Sequence, residues 1–134
     1  MIVVTTEALN ALDESIIVWA RRVKDIAEAT DTETYQGSMV ATAKSCPLCL
    51  VYNPYLLPRT GEPMVCKGCP IRAKTGRSFC EDTPYKHFDS LVTTFNSHCL
   101  SVAESRPIAE PAAKAMLMFL EDLRDECTDG RSHA

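Results

Sequence analysis

TEALNALDESIIVWARRVKDIAEA, residues 6–29, is the stretch from which a fold can be argued. Leu9, Leu12, Ile16, Trp19, Val23 and Ile26 recur at alternating steps of three and four. That spacing keeps them on one side of a helix as a continuous apolar stripe. Thr5 or Thr6 can cap the first turn through its hydroxyl, and Glu7 then complements the partial positive charge at the helix start. The run Thr30-Asp31-Thr32-Glu33-Thr34 has poor helix propensity and is expected to end the helix. About two to three heptads are too few for a coiled coil that stands alone, so the stripe is expected to pack on the chain's own helices. A homodimer seam through this N-terminal helix is the alternative.

Regular patterning fades beyond this helix and returns at Thr83-Pro84. Residues 35–45 carry no clear period, and Gly37 interrupts them. From Cys46 to Arg77 the chain reads as loop, broken by Pro47, Pro54, Pro58, Pro63 and Pro70 and by Gly61, Gly68 and Gly76. Order over such a length needs a staple. Thr83 then suits an N-cap and Pro84 the first helical position. Phe88, Leu91, Val92, Phe95, Cys99 and Val102 mark one face of a second helix running to about Glu104. Ser105-Arg106-Pro107 is expected to break it. A third helix follows to about Glu126, with Ala112, Met116, Phe119, Leu120 and Leu123 on one face. Two helices with a short break suggest an antiparallel hairpin. The polar tail, residues 128–134, is expected to fray. The predicted fold is mostly α: about three helices with an inserted cysteine-rich zinc-knuckle loop. Its organisation is one domain, with an N-terminal helix over 6–29, a metal-binding module over 44–82 and a helical hairpin over 83–127.

The inserted loop carries the chemistry. Cys46-Pro47-Leu48-Cys49 and Cys66-Lys67-Gly68-Cys69 are each Cys-x2-Cys, sixteen residues apart, a spacing that suits structural zinc. Two intervening residues let a tight turn place both sulfurs about 2.3 Å from one ion. Gly68 supplies the backbone freedom that such a knuckle needs. Lys67 and Arg72 can soften the charge of a four-thiolate centre. Cys80, eleven positions after Cys69, is a fifth candidate and an alternative ligand, because a tetrahedral ion takes four. Pro follows both Cys46 and Cys69, as it follows ligands in some iron–sulfur proteins, so a cluster is the alternative cofactor. His87 is a substitute ligand to consider. Cys99 and Cys127 read as core cysteines near apolar helical faces. His98 and Cys99 are adjacent on a helix and point about 100° apart, which does not make a catalytic pair. His133 lies in the tail.

Composition bounds the partners. The chain has 134 residues, net charge −4 and 46 % hydrophobic residues. These values exclude wholesale disorder and do not advertise a nucleic-acid binder. No apolar run approaches the roughly 18–20 residues of a membrane span. The first residues are too short and lack the basic start of a signal peptide, so a cytosolic protein is expected. Seven cysteines is an odd count and awkward for a disulfide scaffold. Charge is segregated: residues 44–77 carry six basic side chains against Glu62 alone, between two acidic flanks.

The pattern Cys46-x2-Cys49 … Cys66-x2-Cys69-Pro70-Ile71 … Thr75-Gly76 … Cys80-Glu81-Asp82-Thr83-Pro84-Tyr85 resembles that of small cysteine-rich proteins encoded by tailed bacteriophages and prophages. The resemblance covers about 40 residues closely and extends in character to the flanking helices. It implies a phage origin, a bacterial host cell and a metal module that includes Cys80, rather than an activity. Three functions then compete. The first is a non-enzymatic accessory protein with a structural metal, which binds a host or phage macromolecule, a protein before a nucleic acid. The second is nucleic-acid binding through Arg59, Lys67, Arg72, Lys74 and Arg77, with Tyr52, Tyr55 or Phe79 stacking on bases. The third is iron–sulfur or thiol redox chemistry. No glycine-rich phosphate loop or nucleophile motif supports an enzyme.

Overall fold

The computed structural model describes residues 2–39, 69–76, 83–97 and 100–130. The chain is mostly helical. In order it forms β1 (Ile2–Val4), α1 (Thr6–Glu28), α2 (Thr32–Ser38), α3 (Pro70–Thr75), α4 (Pro84–Ser97), α5 (Val102–Glu126) and β2 (Cys127–Asp129).

α1 begins where its cap predicts. The Thr5 hydroxyl accepts a hydrogen bond from the Ala8 amide at 3.0 Å, and Glu7 sits in the first turn. The buried line along α1 is Ala8, Leu12, Ser15, Trp19, Arg22 and Ile26. It keeps the alternating three-and-four period but is turned slightly from the expected stripe, so Ile16 and Val23 are flanking and half-buried. Two polar side chains therefore lie inside it. The Ser15 hydroxyl donates to the Ala11 carbonyl at 2.9 Å. Arg22 is only 8 % exposed; its guanidinium lies 4.3 Å from the Trp19 ring centre, and its Nε donates to the Ser38 carbonyl.

The stripe of α1 is covered by the chain's own helices, chiefly α5. The apolar face offered as a homodimer seam is thus already occupied within the chain, by α5's small Ala109, Ala112 and Ala113 and its larger Met116, Leu120 and Leu123. The two helices run antiparallel, as their end contacts show. Arg124, late in α5, pairs with Asp13, early in α1, at 2.7 Å. Arg106, early in α5, donates through Nε to the Ile26 carbonyl at 2.9 Å and through Nη2 to the Ala29 carbonyl. These are orphan carbonyls at the end of α1, so Arg106 caps one helix from another.

α2 begins in the run expected to terminate α1 and continues through residues 35–38, which carry no clear period, past Gly37. Asp31 starts it: its carboxylate accepts from the Thr34 amide at 2.7 Å and the Thr34 hydroxyl at 2.8 Å, which holds its pKa below the usual value. Tyr35 from α2 is fully buried, and its hydroxyl shares a 2.6 Å hydrogen bond with Ser105 of α5. α4 starts at Thr83-Pro84 as predicted, with the Tyr85 amide donating to the Thr83 hydroxyl at 3.2 Å. Its aromatic rings meet the other helices edge to face, Phe88 on Trp19 at 5.2 Å and Phe95 on Tyr35 at 5.3 Å between centroids.

The helix break does not fall at Ser105-Arg106-Pro107. α4 ends at Ser97 and α5 begins at Val102, then continues through both Pro107 and Pro111. The reason is local. The Ser101 hydroxyl accepts from the Glu104 amide at 3.1 Å, and the Glu104 carboxylate accepts from the Ser101 amide at 3.2 Å. This reciprocal capping box starts the helix before the prolines are reached. Both prolines are solvent-exposed, so their rings stay out of the core.

The fraying expected over residues 128–134 does not hold where the tail begins, and residues 131–134 lie outside the described residues. Residues 127–129 pair in parallel with β1, in the register Ile2↔Cys127, Val3↔Thr128 and Val4↔Asp129. Beside this pair the Thr6 hydroxyl donates to Asp129 at 2.5 Å. Parallel strands need a long crossover, and here the helical body supplies it.

Two variants test this account by urea denaturation. Arg106→Ala should lower stability by about 1.5–3 kcal/mol, the usual worth of hydrogen bonds made by a charged group. Pro107→Ala should raise it by roughly 1–3 kcal/mol, because the new amide can reach the Ala103 carbonyl. Unchanged midpoints in both would refute the α5 geometry.

Candidate metal centre

Of the five candidate thiolates, the described residues include Cys69. Cys46, Cys49, Cys66 and Cys80 lie outside them, as do Arg59, Lys67, Arg77, Tyr52, Tyr55, Phe79, His98, Cys99 and His133. Among the described residues, no three His, Cys, Asp or Glu side chains converge on a point that could hold a metal ion. The site can therefore be built from Cys69 outward.

Cys69 occupies the N-cap position of α3, with φ −68° and ψ 128°. Pro70 takes the first helical position, where its missing amide costs nothing, and its ring fixes the entry angle. The Ala73 amide donates to the Cys69 carbonyl at 3.1 Å, but the thiol makes no side-chain cap. Cys69 is 6 % exposed and Ile71 is 2 % exposed. The residue that ends the second Cys-x2-Cys pair thus leads at once into the hydrophobic core. α3 then closes at Gly76, whose φ of 73° is left-handed and whose amide donates to the Arg72 carbonyl at 2.7 Å.

This seat fits a metal ligand. A thiolate sulfur is soft and tolerates a dry setting once an ion shares its charge, and the start of a helix favours negative charge. Cys127, by contrast, sits buried on β2, and burial raises its thiol pKa above the ordinary value. It behaves as a core thiol, the role expected of it. His87 lies exposed on α4.

Both basic residues of α3, Arg72 and Lys74, are exposed. Lys74 reaches the Glu126 carboxylate at 2.5 Å, with both side chains about two-fifths exposed. An ion pair so wetted contributes under about 1 kcal/mol. Yet it joins the end of α3 to the last residue of α5, and the other Glu126 carboxylate oxygen is buried with no hydrogen-bond partner among the described residues. A lysine expected to meet phosphate is here engaged with the chain's own carboxylate.

Other buried polar groups escaped the pattern of the sequence. Arg22 occupies a core position of the α1 period, where a charged residue gives no signal except its place in the count. The phenol of Tyr35 is likewise enclosed, and burial raises its pKa. Ser101-x-x-Glu104 is a legible signature that the neighbouring proline obscured.

No helix among the described residues is long and apolar enough to cross a membrane. No family model, curated protein or solved structure matches the chain.

Cys69→Ser and Cys127→Ser separate the two kinds of cysteine. The first should abolish stoichiometric metal in native mass spectrometry. The second should keep the metal and cost about 1–3 kcal/mol, the scale for placing a hydroxyl in a dry site. Equal metal content in both variants would remove Cys69 from the ligand set.

Proposed function

We propose that this chain is a small phage-type accessory protein that acts by binding another macromolecule, with a metal centre that is structural. The observation that carries this reading is the seat of Cys69. A candidate ligand at the N-cap position of a helix, with Ile71 two residues on buried in the core, supports a bracing role. Zinc held by Cys46, Cys49, Cys66 and Cys69, with Cys80 as the alternative ligand, satisfies the donor set. Four thiolates close the coordination sphere and leave no position for a substrate. Bound there, the ion supplies cross-linking. Apparent binding free energies of roughly 10–16 kcal/mol in zinc-finger peptides indicate the strength of such a link. The fold's helical body is then the part that meets a partner, a protein in preference to a nucleic acid, inside a bacterial host cell. The pairing of Lys74 with Glu126 supports that preference, since it removes one cation from the basic set.

Two measurements decide it. Native mass spectrometry of protein purified without oxygen should show one zinc per chain and no visible absorption from a cluster. A mobility-shift titration with single- and double-stranded DNA and RNA at low salt should show no complex. A brown, iron-containing protein would replace this reading with the redox one. Binding that weakens steeply with salt would replace it with the nucleic-acid one.

A further inference from the structure

We propose that the outer face of α5 is a docking surface for a basic amphipathic helix of a partner protein, an inference that gives a partner class to the interaction reading above and rests on it. α1 and α4 pack on α5 and take its inner side. On the side turned away, Pro107, Ile108, Pro111, Ala115 and Met118 are all exposed. Ile108, Pro111, Ala115 and Met118 recur at steps of three and four, the period of a helix seam, over about 15 Å of the axis. Single exposed apolar residues are ordinary; a periodic row on one face of one helix is a contact surface. Two members of the row are prolines inside the helix. An interior proline brings no amide and is costly to a helix. Pro107 and Pro111 therefore leave the carbonyls of Ala103 and Pro107 without their i+4 donors, at exposed positions. A partner's Arg or Lys can donate to such carbonyls, as Arg106 does to those at the end of α1.

Charge selects the occupant. Glu104 stands at the start of the row, and Glu121, Asp122 and Asp125 stand at its end, all exposed. Arg106 and Arg124 are turned to α1, and the exposed Lys114 lies 3.8 Å from the Glu110 carboxylate. The apolar row is thus rimmed by carboxylates. A helix with an apolar side bordered by Lys and Arg complements it in both respects. A second copy of this chain does not. Paired antiparallel about the middle of the row, it sets Glu104 against Glu121 and Asp122; paired parallel, it sets Asp122 against Asp122. A nucleic-acid backbone or an anionic lipid surface meets the same repulsion.

The probe is a synthetic peptide of about three heptads with Leu at a and d and Lys and Arg at e and g, and its twin carries Glu at e and g. Each is titrated into the full chain at low salt while the amide resonances are followed. The basic peptide should shift the amides of Ile108, Ala115 and Met118 saturably. It should leave that of Ile17 in place, an exposed apolar residue on α1 outside the row. Met118→Ser should weaken the basic peptide about fivefold or more, because burial of that side chain is lost. Asp122→Lys combined with Asp125→Lys should weaken it about tenfold or more and let the acidic twin bind. These positions are exposed, and urea denaturation checks that each variant keeps the helical body. Absence of a saturable shift on α5, equal binding of both peptides, or self-association of the chain through α5 would overturn the proposal. If any of these is found while zinc is stoichiometric and no nucleic-acid complex forms, the accessory-protein reading stands and the α5 face alone is wrong. A nucleic-acid complex at low salt removes that reading and this inference with it.

Discussion

The antiparallel contact between α1 and α5 is the constraint on which the other elements depend. It buries the long apolar stripe of α1 against a helix whose core face runs from Ala109, Ala112 and Ala113 to the bulkier Met116, Leu120 and Leu123. Small residues on one side and large ones on the other let two helices fill a common interior. The contact is locked at both ends by arginines from α5, one on the Asp13 carboxylate and one on the orphan carbonyls of Ile26 and Ala29. Once these helices are set, the remaining elements have places to go. α4 lays its aromatic rings against Trp19 and Tyr35, α2 closes over the end of α1, and the outer strands meet beside the helix ends.

Arg22 shows how polar chemistry is built into this body. A charge taken out of water is costly unless its surroundings replace what is lost. Here the faces of Trp19 and Phe88 and the carbonyl of Ser38 take part in that replacement. One side chain thereby ties α1 to α2 and α4. Tyr35 and Ser105 do the same between α2 and α5 with a neutral pair. Each such tie is directional, so it selects one arrangement of helices that would otherwise pack in several ways.

Much of this was readable in advance, for physical reasons. The period of α1 and the Thr83-Pro84 start of α4 are local signals, set by residues within a turn of one another. The helical class follows from them. The features that local pattern does not carry depend on competition or on distance. Pro107 argued for a break, but the capping box at Ser101 acts earlier in the chain and decides where the helix begins. The run that holds Asp31 does follow the end of α1, but the Asp31 side chain also starts α2, a second use that low helix propensity does not reveal. β2 could not be seen because its partner, Ile2–Val4, stands at the other end of the chain, and three residues carry no period. For the candidate centre, the spacing of the cysteines proposes the ligands, whereas the burial of Cys69 and its passage into α3 come from tertiary packing that spacing does not encode.

The closing of β1 on β2 sets an order of events in time. α1 leaves the ribosome early with its stripe complete, but its cover, α5, follows only after the whole cysteine-rich stretch and α4. At about 5–20 residues per second that delay is on the order of several seconds. During it, Leu12, Trp19 and Ile26 lack the cover of α5, although Trp19 can meet Phe88 once α4 has emerged. Contacts between such distant parts of a chain also form slowly, since the intervening loop must close first. The α1 stripe therefore stays without its chief cover until α5 has emerged, and truncation anywhere before α5 removes that cover rather than giving a smaller version of the fold.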